Sequence, residues 1–399
     1  MRFLISAGEA SGELYGAGLI EALRRRVPDA EFFGVGGQRM RDAGFETIID
    51  AHEISVVGLA EVVTHLPHIY SEFKRLVREA KARRPGVAIL IDFPDFNLRL
   101  ARELHKLGIP VIYYVSPQLW AWRQGRVEQI RKYVRKILVI FPFETEFYRK
   151  HNVVAEYVGH PLADEPLPSV SREQFAAENR IDPAKTWIAL LPGSRKKEFT
   201  LNLGPMMDAA NLLPHPRQES ARMEHPQPQY EFMLPVASSL DRNWVQQQID
   251  ARSKSESGTP AVELLLVDDA RPALAHSRVA IVASGTATLQ TALIGTPFVM
   301  VYRVTPLTWF LGRRLVKVNR FAMPNLIAGR DVVPEFVQQN FRPEAVAAKV
   351  RELISDSPER KAMLEGLAEV RAKLHSPGSE SASERAASEV LRSLQETAR

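Results

Sequence analysis

The sequence predicts an α/β fold of two Rossmann-like domains with a cleft between them. Short apolar runs recur along the chain, each closed by a glycine-rich or polar turn and followed by a helical period, which is the signature of βαβ units built around parallel sheets. A proline-rich, weakly patterned break at His160–Asn179 divides this pattern into two regions. The length of 399 residues accommodates two or three domains at ~100–200 residues each. The predicted boundaries are 1–168 for a first domain and 169–350 for a second. Residues 351–399 are expected to form terminal helices that pack on the first domain or on another subunit.

The first domain opens with a strand at Phe3–Ser6, then Gly8, Gly12, Gly16 and Gly18, then Leu19, Ile20 and Leu23 at helical spacing. Ser71–Arg84 carries Phe73, Leu76, Val77 and Ala80 on one face and basic residues on the other, so it reads as a surface helix covering the sheet. Val87–Ile91 is a buried strand that runs into Asp92-Phe93-Pro94-Asp95-Phe96-Asn97 and a helix through Leu100, Leu104 and Leu107. Strands at Pro110–Val115 and Ile137–Ile140 follow, the second before a helix near Glu144–Lys150. The second domain restarts at Trp187–Leu191, with further strands expected at Glu231–Val236, Val262–Leu266, Val279–Ala283 and Phe298–Val301. His215–Gln229, with Pro216, Pro226 and Pro228, reads as an exposed insertion. Arg342–Gln395 is mostly helical, interrupted near His375–Gly378.

Composition excludes several classes. Apolar residues make up 45% and charged residues 25%, which rules out global disorder and a fibrous repeat. Cysteine is absent, so no disulfide, thiolate nucleophile, iron–sulfur cluster or cysteine-held zinc exists. A net charge of +5 fits an anionic partner, but a nucleic-acid binder is expected to carry a larger basic excess. The opening Met1–Gly8 lacks the apolar core of ~7–15 residues that a signal peptide needs, and runs such as Ile137–Phe143 fall short of the ~18–20 residues that span a bilayer. The expectation is a cytoplasmic protein, with peripheral membrane contact left open.

Ligands of open α/β sheets sit beyond the carboxyl ends of strands, so the segments just after predicted strands are the ones to search. Ala7-Gly8-Glu9-Ala10-Ser11-Gly12-Glu13 can bring backbone close to a ligand at a helix start, though an unliganded tight turn explains it equally well, and its glycine spacing is not the dinucleotide fingerprint. Asp92 and Asp95 flank Phe93-Pro94 and can accept a proton from a hydroxyl or bind sugar hydroxyls, while helix capping by one of them is the plain alternative. Ser116–Arg123 places Trp120, Trp122 and Arg123 in one loop, able to stack on a sugar or to latch the loop down. His160 reads equally as a cap, a hinge or a ligand contact. Leu191-Pro192-Gly193-Ser194-Arg195 offers backbone and hydroxyl donors with a planar cation, and Ser284-Gly285-Thr286-Ala287-Thr288 combines glycine, hydroxyls and a helix start. Together these two segments favour an anionic ligand such as a diphosphate. Tyr302–Arg320, rich in aromatic and basic residues, meets an anionic surface or is simply a solvated face.

Taken in order, these motifs resemble the lipid-A-disaccharide synthase family. The resemblance rests on Ser6–Glu13, Ile91–Asn97, Val115–Arg123, Gly159–Asp164, Leu191–Arg195, Ser284–Thr288 and Pro324–Arg330, spread over roughly residues 1–350. It implies a GT-B glycosyltransferase fold. It also implies an inverting transfer from UDP-2,3-diacylglucosamine to 2,3-diacylglucosamine 1-phosphate, giving the β-1,6-linked disaccharide 1-phosphate and UDP with no cofactor or metal. The resemblance assigns the catalytic carboxylate to Asp95, as general base toward the acceptor 6-hydroxyl. It places Arg195, Ser284, Gly285, Thr286 and Asn325 around the donor, and Gly8, Ser11, Gly12, Trp122 and Arg123 as further substrate contacts. The first motif ends in Glu13 where the family pattern has Asp.

Acylated substrates imply peripheral contact with the cytoplasmic face of the inner membrane, and Val56-Val57-Gly58-Leu59 with Val62, Val63 and Leu66 is the apolar stretch that would make it, beside the basic helix. A homodimer exchanging its terminal helices fits the resemblance too. Two alternatives stay open: a transferase or epimerase of unacylated UDP-sugars, and a catalytically silent module that holds an anionic lipid or nucleic acid.

Overall fold

The computed structural model describes residues 1–55, 62–122, 124–213, 230–253, 262–306, 308–310 and 319–397. The chain divides into two compact units, Met1–Asp164 with Leu374–Arg399, and Glu165–Lys373. Each is built on one parallel sheet.

In the first unit the strands are β1 (Arg2–Ala7), β2 (Glu31–Gly36), β3 (Glu46–Asp50), β4 (Val87–Ile91), β5 (Val111–Tyr114), β6 (Lys136–Val139) and β7 (Ala155–Tyr157), ordered β3-β2-β1-β4-β5-β6-β7. The second unit holds β8 (Thr186–Leu191), β9 (Tyr230–Pro235), β10 (Leu264–Val267), β11 (Val279–Ala283), β12 (Phe298–Tyr302) and β13 (Glu335–Val337), ordered β10-β9-β8-β11-β12-β13. Both sheets therefore wind outward in two directions from a central pair, β1/β4 in one and β8/β11 in the other. Strands sandwiched between helix layers must be apolar on both faces, and β4 (Val-Ala-Ile-Leu-Ile) and β11 (Val-Ala-Ile-Val-Ala) are buried at every position. The central pairs run in register to their carboxyl ends, Ala7 beside Ile91 and Leu191 beside Val282. At these switch points the connections leave in opposite directions, which opens a crevice for a ligand above each sheet.

The helix expected at Ser71–Arg84 is the carboxyl-terminal part of Val62–Arg83. Leu76 and Ala80 are buried and Phe73 and Val77 pack beside them, as the periodicity predicts. Its cationic face is partly neutralised within the unit, since Arg83 pairs with Glu46 and Glu79 and Arg75 with Glu72. The apolar residues Val56, Val57, Gly58 and Leu59 lie outside the described residues, as do the side chains of Val62, Val63 and Leu66 and the insertion at 215–229.

The terminal helices divide between the units instead of forming the single segment 351–399. Helix Pro358–Leu374 belongs to the second unit up to Lys373, and helix Ala382–Thr397 belongs to the first. The interruption at His375–Gly378 is where the chain returns. Helix Ala382–Thr397 lies along helix Ala10–Arg26. Arg26–Glu380 at 2.9 Å, Arg385–Glu156 at 2.9 Å and Lys136–Glu389 at 2.9 Å fix it there, with Glu389 of the last pair buried. The first break in the chain falls after Asp164, close to the boundary drawn at 168.

Candidate active site

The first switch point is a strained turn. Asp92 and Phe93, directly after β4, both have left-handed backbones at φ 44° and 47°, and Val115, directly after β5, has φ 62°. Such conformations cost non-glycine residues roughly 1–3 kcal/mol each and persist only where neighbours enforce them. Here Asn97 supplies much of that enforcement. Its Nδ2 donates to the carbonyls of Asp92 (2.8 Å), Ile91 (3.1 Å) and Ser6 (3.3 Å), and its Oδ1 accepts from Ser6 Oγ at 2.7 Å. The hydroxyl of Tyr113 donates to the same Asp92 carbonyl at 2.5 Å. Gly8 is required because the ring of Phe93 lies over it: a Cβ there would come within 2.4 Å of the ring. Backbone and ring thus leave room for no larger residue at the end of β1.

Two carboxylates result, in different settings. Asp95 stands in the first turn of helix Pro94–Lys106, with its side chain 69% exposed and bound by Arg126 Nη2 at 2.5 Å. Asp92 is held in the turn itself, where burial and the nearby charge of Glu9 push its carboxyl up to about 7. A third acid lies deeper. Glu144 is buried, accepts from Trp120 Nε1 (3.0 Å) and from the Phe141 backbone N–H (3.1 Å), and is lifted by desolvation to about 8. Trp120 is therefore an internal latch for its loop, while Trp122 is 41% exposed and presents a ring at the surface. Arg123 lies outside the described residues. His160 is buried and held neutral by desolvation, down to about 3, with its Nδ1 accepting from the Leu162 N–H. It caps the turn at Pro161–Ala163.

The loop between β1 and its helix has a second anchor. Helix Ala10–Arg26 begins at Glu9 without a side-chain cap, with Ser11 and Gly12 in its first turn. Glu13 is buried and its Oε1 accepts from the Arg39 backbone N–H at 2.7 Å. The extra methylene over Asp is thus used to hold the start of helix Gln38–Asp42.

The second switch point is open. Helix Lys196–Asn211 follows β8 and helix Thr286–Ile294 follows β11, and neither has a side-chain cap at its N-terminus. Their preceding turns use Gly193 (φ 129°) and Gly285 (φ 144°), and nothing lies within 4 Å of a Cβ built on Gly285. Two helix starts at the ends of adjacent strands, neither with a side-chain cap, suit a diphosphate. Arg195, at the first of them, is 78% exposed and pairs with Glu198 at 3.3 Å. Buried Asn202 ties this turn to the chain just beyond β12: Nδ2 donates to Pro192 O (3.1 Å) and Oδ1 accepts from the Arg303 N–H (3.1 Å). Ser284 Oγ donates to Phe321 O at 3.1 Å.

Asn325 faces inward. Its Oδ1 accepts from the N–H groups of Val332 and Val333, and its Nδ2 donates to Val333 O and to Glu335 Oε1. These four bonds use the amide's main hydrogen-bonding capacity. The residues that sequence reasoning passed over, Asn97, Tyr113, Glu144, Asn202 and Glu335, share one trait. Each acts on a backbone or side chain brought from a distant stretch of sequence.

The family profile described as "Lipid-A-disaccharide synthetase" matches residues 3–390. The lipid-A-disaccharide synthase of Koribacter versatilis is 55% identical over 393 residues, covering 98% of each chain. That of Acidobacterium capsulatum is 50% identical over 381 residues, covering 94% of this chain and 92% of its own. The chain belongs to the lipid-A-disaccharide synthase family. It is a glycosyltransferase that joins UDP-2,3-diacylglucosamine to 2,3-diacylglucosamine 1-phosphate, forming the disaccharide of lipid A and releasing UDP. Among solved structures, the UDP-GlcNAc 2-epimerase of Neisseria meningitidis bound to UDP-GlcNAc aligns with TM-score 0.61 at 11% identity, over 99% of this chain and 100% of that one. The S. aureus MnaA–UDP complex aligns with TM-score 0.63 at 11% identity, over 99% and 97%. Likeness at this identity concerns the fold alone, and that fold, two doubly wound units, is the GT-B architecture. The family match removes the epimerase and silent-module alternatives.

Proposed function

We propose that the family's reaction is divided between the two switch points, the acceptor activated at the first and UDP held at the second. The observation that carries this division is the pair of uncapped helix starts at β8 and β11, set against the carboxylate-bearing turn at β4. Asp95 takes the proton of the acceptor 6-hydroxyl as its oxygen forms the new bond to the donor C1. The C1–oxygen bond to the UDP phosphate breaks from the opposite face, its electron pair leaves with UDP, and the configuration inverts. Arg126 orients the Asp95 carboxylate through their ion pair. Arg195, Ser284, Gly285 and Thr286 meet the diphosphate, and the Arg195 charge opposes the negative charge growing on the leaving group. Gly8, Ser11 and Gly12 border the acceptor, with Trp122 as a stacking surface. Asn325 acts through the fold of its loop.

A second reading is supported by the setting of Asp92, whose raised proton affinity at a strained position suits it to hold the proton in place of Asp95. The deciding experiment is acceptor-dependent UDP release by wild type, Asp95→Ala and Asp92→Asn. Loss in the first with retention in the second supports Asp95; the reverse supports Asp92.

No helix among the described residues is long and apolar enough to cross a membrane. Because both substrates carry acyl chains, we place the enzyme peripherally on the cytoplasmic face of the inner membrane, testable by flotation with anionic vesicles. A homodimer would use helix Ala382–Thr397, and light scattering tests it.

A further inference from the structure

The described chain resumes at Asn319 and returns to helix Met323–Ala328 through Phe321 and Ala322. One carboxylate organises this return. Glu335, on edge strand β13 opposite Met300 of β12, accepts from the Phe321 N–H (2.9 Å to Oε2, 3.1 Å to Oε1), the Ala322 N–H (2.9 Å) and Asn325 Nδ2 (2.8 Å). Asn325 in turn clasps the backbone of Val332 and Val333 just ahead of β13. The other side of the Phe321 peptide unit faces the second switch point, where its carbonyl accepts from Ser284 Oγ. A chain of hydrogen bonds thus runs from Glu335 through the Phe321 backbone to the hydroxyl that precedes Gly285. Arg320, paired with Asp331 at 2.7 Å, braces the same return.

We propose that Glu335 is a positioning residue for the donor: it fixes the Phe321–Ala322 backbone against which Ser284 docks, and so sets the Ser284-Gly285-Thr286 turn in the geometry that receives the UDP diphosphate. This rests on the reading that the turn is the diphosphate site. The carboxylate suits the task because three N–H groups converge on it, and charge-assisted acceptance from backbone donors is about twice as strong as a neutral hydrogen bond. The arrangement also accounts for an Asn325 whose amide is fully engaged within the protein. Its influence on the donor travels through Glu335 and the loop.

The test uses the full chain, with UDP binding by calorimetry and steady-state kinetics for wild type, Glu335→Gln, Ser284→Ala and the double variant. Each single change is expected to weaken UDP about tenfold and to raise the donor KM similarly, with kcat less affected. The double variant should bind UDP no more weakly than the weaker single, because both changes break one chain. Glu335→Gln binding UDP within about twofold of wild type overturns the proposal, and so does strict additivity. A merely structural role would lower the thermal midpoint and the active fraction while leaving the Kd of the folded fraction unchanged, which also overturns it. Should Glu335→Gln fail to fold, Glu335→Asp, which keeps the charge and shortens the reach, carries the same expectation. If Ser284→Ala and Arg195→Ala both bind UDP normally, the diphosphate reading itself fails. If Ser284→Ala weakens UDP and Glu335→Gln does not, only the positioning role fails.

Discussion

The two switch points share a winding order and almost nothing else. At the ends of β4 and β5, Asp92, Phe93 and Val115 are forced into left-handed backbone, and Asn97 and Tyr113 hold the Asp92 carbonyl that results. At the ends of β8 and β11 the positive-φ positions are instead Gly193 and Gly285, at φ 129° and 144°, and the helix starts beyond them carry no side-chain cap. The first arrangement fixes side chains and shifts a proton affinity. The second leaves its helix starts without side-chain caps. One doubly wound topology therefore carries either a rigid carboxylate-bearing turn or an uncapped glycine turn, depending on whether bulky residues or glycine occupy the positive-φ positions, and on the proposed reading these serve as acid–base turn and anion cradle.

The contrast is broken most severely at Asp95. Asp95→Ala should lower turnover by about 10³-fold while UDP affinity in the second unit stays near wild type, read by UDP release and calorimetry. Equal loss of UDP binding would mean that the two sites are not divided as proposed. Next in size is Arg195→Ala, expected to weaken UDP ~10-fold or more and to reduce turnover as well, since it removes the charge-assisted contact proposed for the leaving group. Unchanged UDP affinity there would take Arg195 out of the cradle.

The turns that carry these two residues were legible because their motifs are local: Pro-Asp-Phe-Asn and Pro-Gly-Ser-Arg each announce a strand end and a helix start. The central strands were legible for a similar reason, as continuous apolar runs such as Val87–Ile91 admit no amphipathic alternative. Strand β2 (Glu31–Gly36) and the edge strands β3, β7 and β13 were not found. β7 and β13 are three residues long, half-buried, and carry a glutamate each, so no run stands out. Glu144 and Glu335 escaped for another reason. A Glu in the first turn of a helix after Pro142, or on a short edge strand, looks ordinary; what makes each consequential is an N–H delivered from Trp120 or from Phe321.

Smaller effects sharpen the comparison. Asp92 titrates near 7, so the acidic limb of the kcat/KM profile should rise with pH through that value if its ionised form assists the transfer, and Asp92→Asn should abolish that limb. A profile that is the same in both enzymes would confine Asp92 to the scaffold. The least of these effects concerns stability. Burial lifts the Glu144 carboxyl from 4.5 to about 8, so the folded chain keeps a proton that the unfolded chain releases above 4.5. This stabilisation is complete below 4.5 and is lost as pH rises through about 8. The thermal midpoint of wild type should therefore decline across that window, and Glu144→Gln should flatten the decline. Parallel pH dependence in the two proteins would show that Glu144 contributes none of it.

The return of helix Ala382–Thr397 to the first unit sets a schedule for synthesis. The second unit, Glu165–Lys373, is inserted into the sequence of the first, so it leaves the ribosome whole while the first still lacks its last helix. Until that helix arrives, the flank of Ala10–Arg26 it covers is bare and Lys136 waits for Glu389. The carboxylate-bearing turn after β4 is thus made before the second unit, yet its own unit is completed only after that one. A nonsense codon between Leu374 and Ala382 should release a nascent chain whose second unit has folded and whose first remains a client for chaperones.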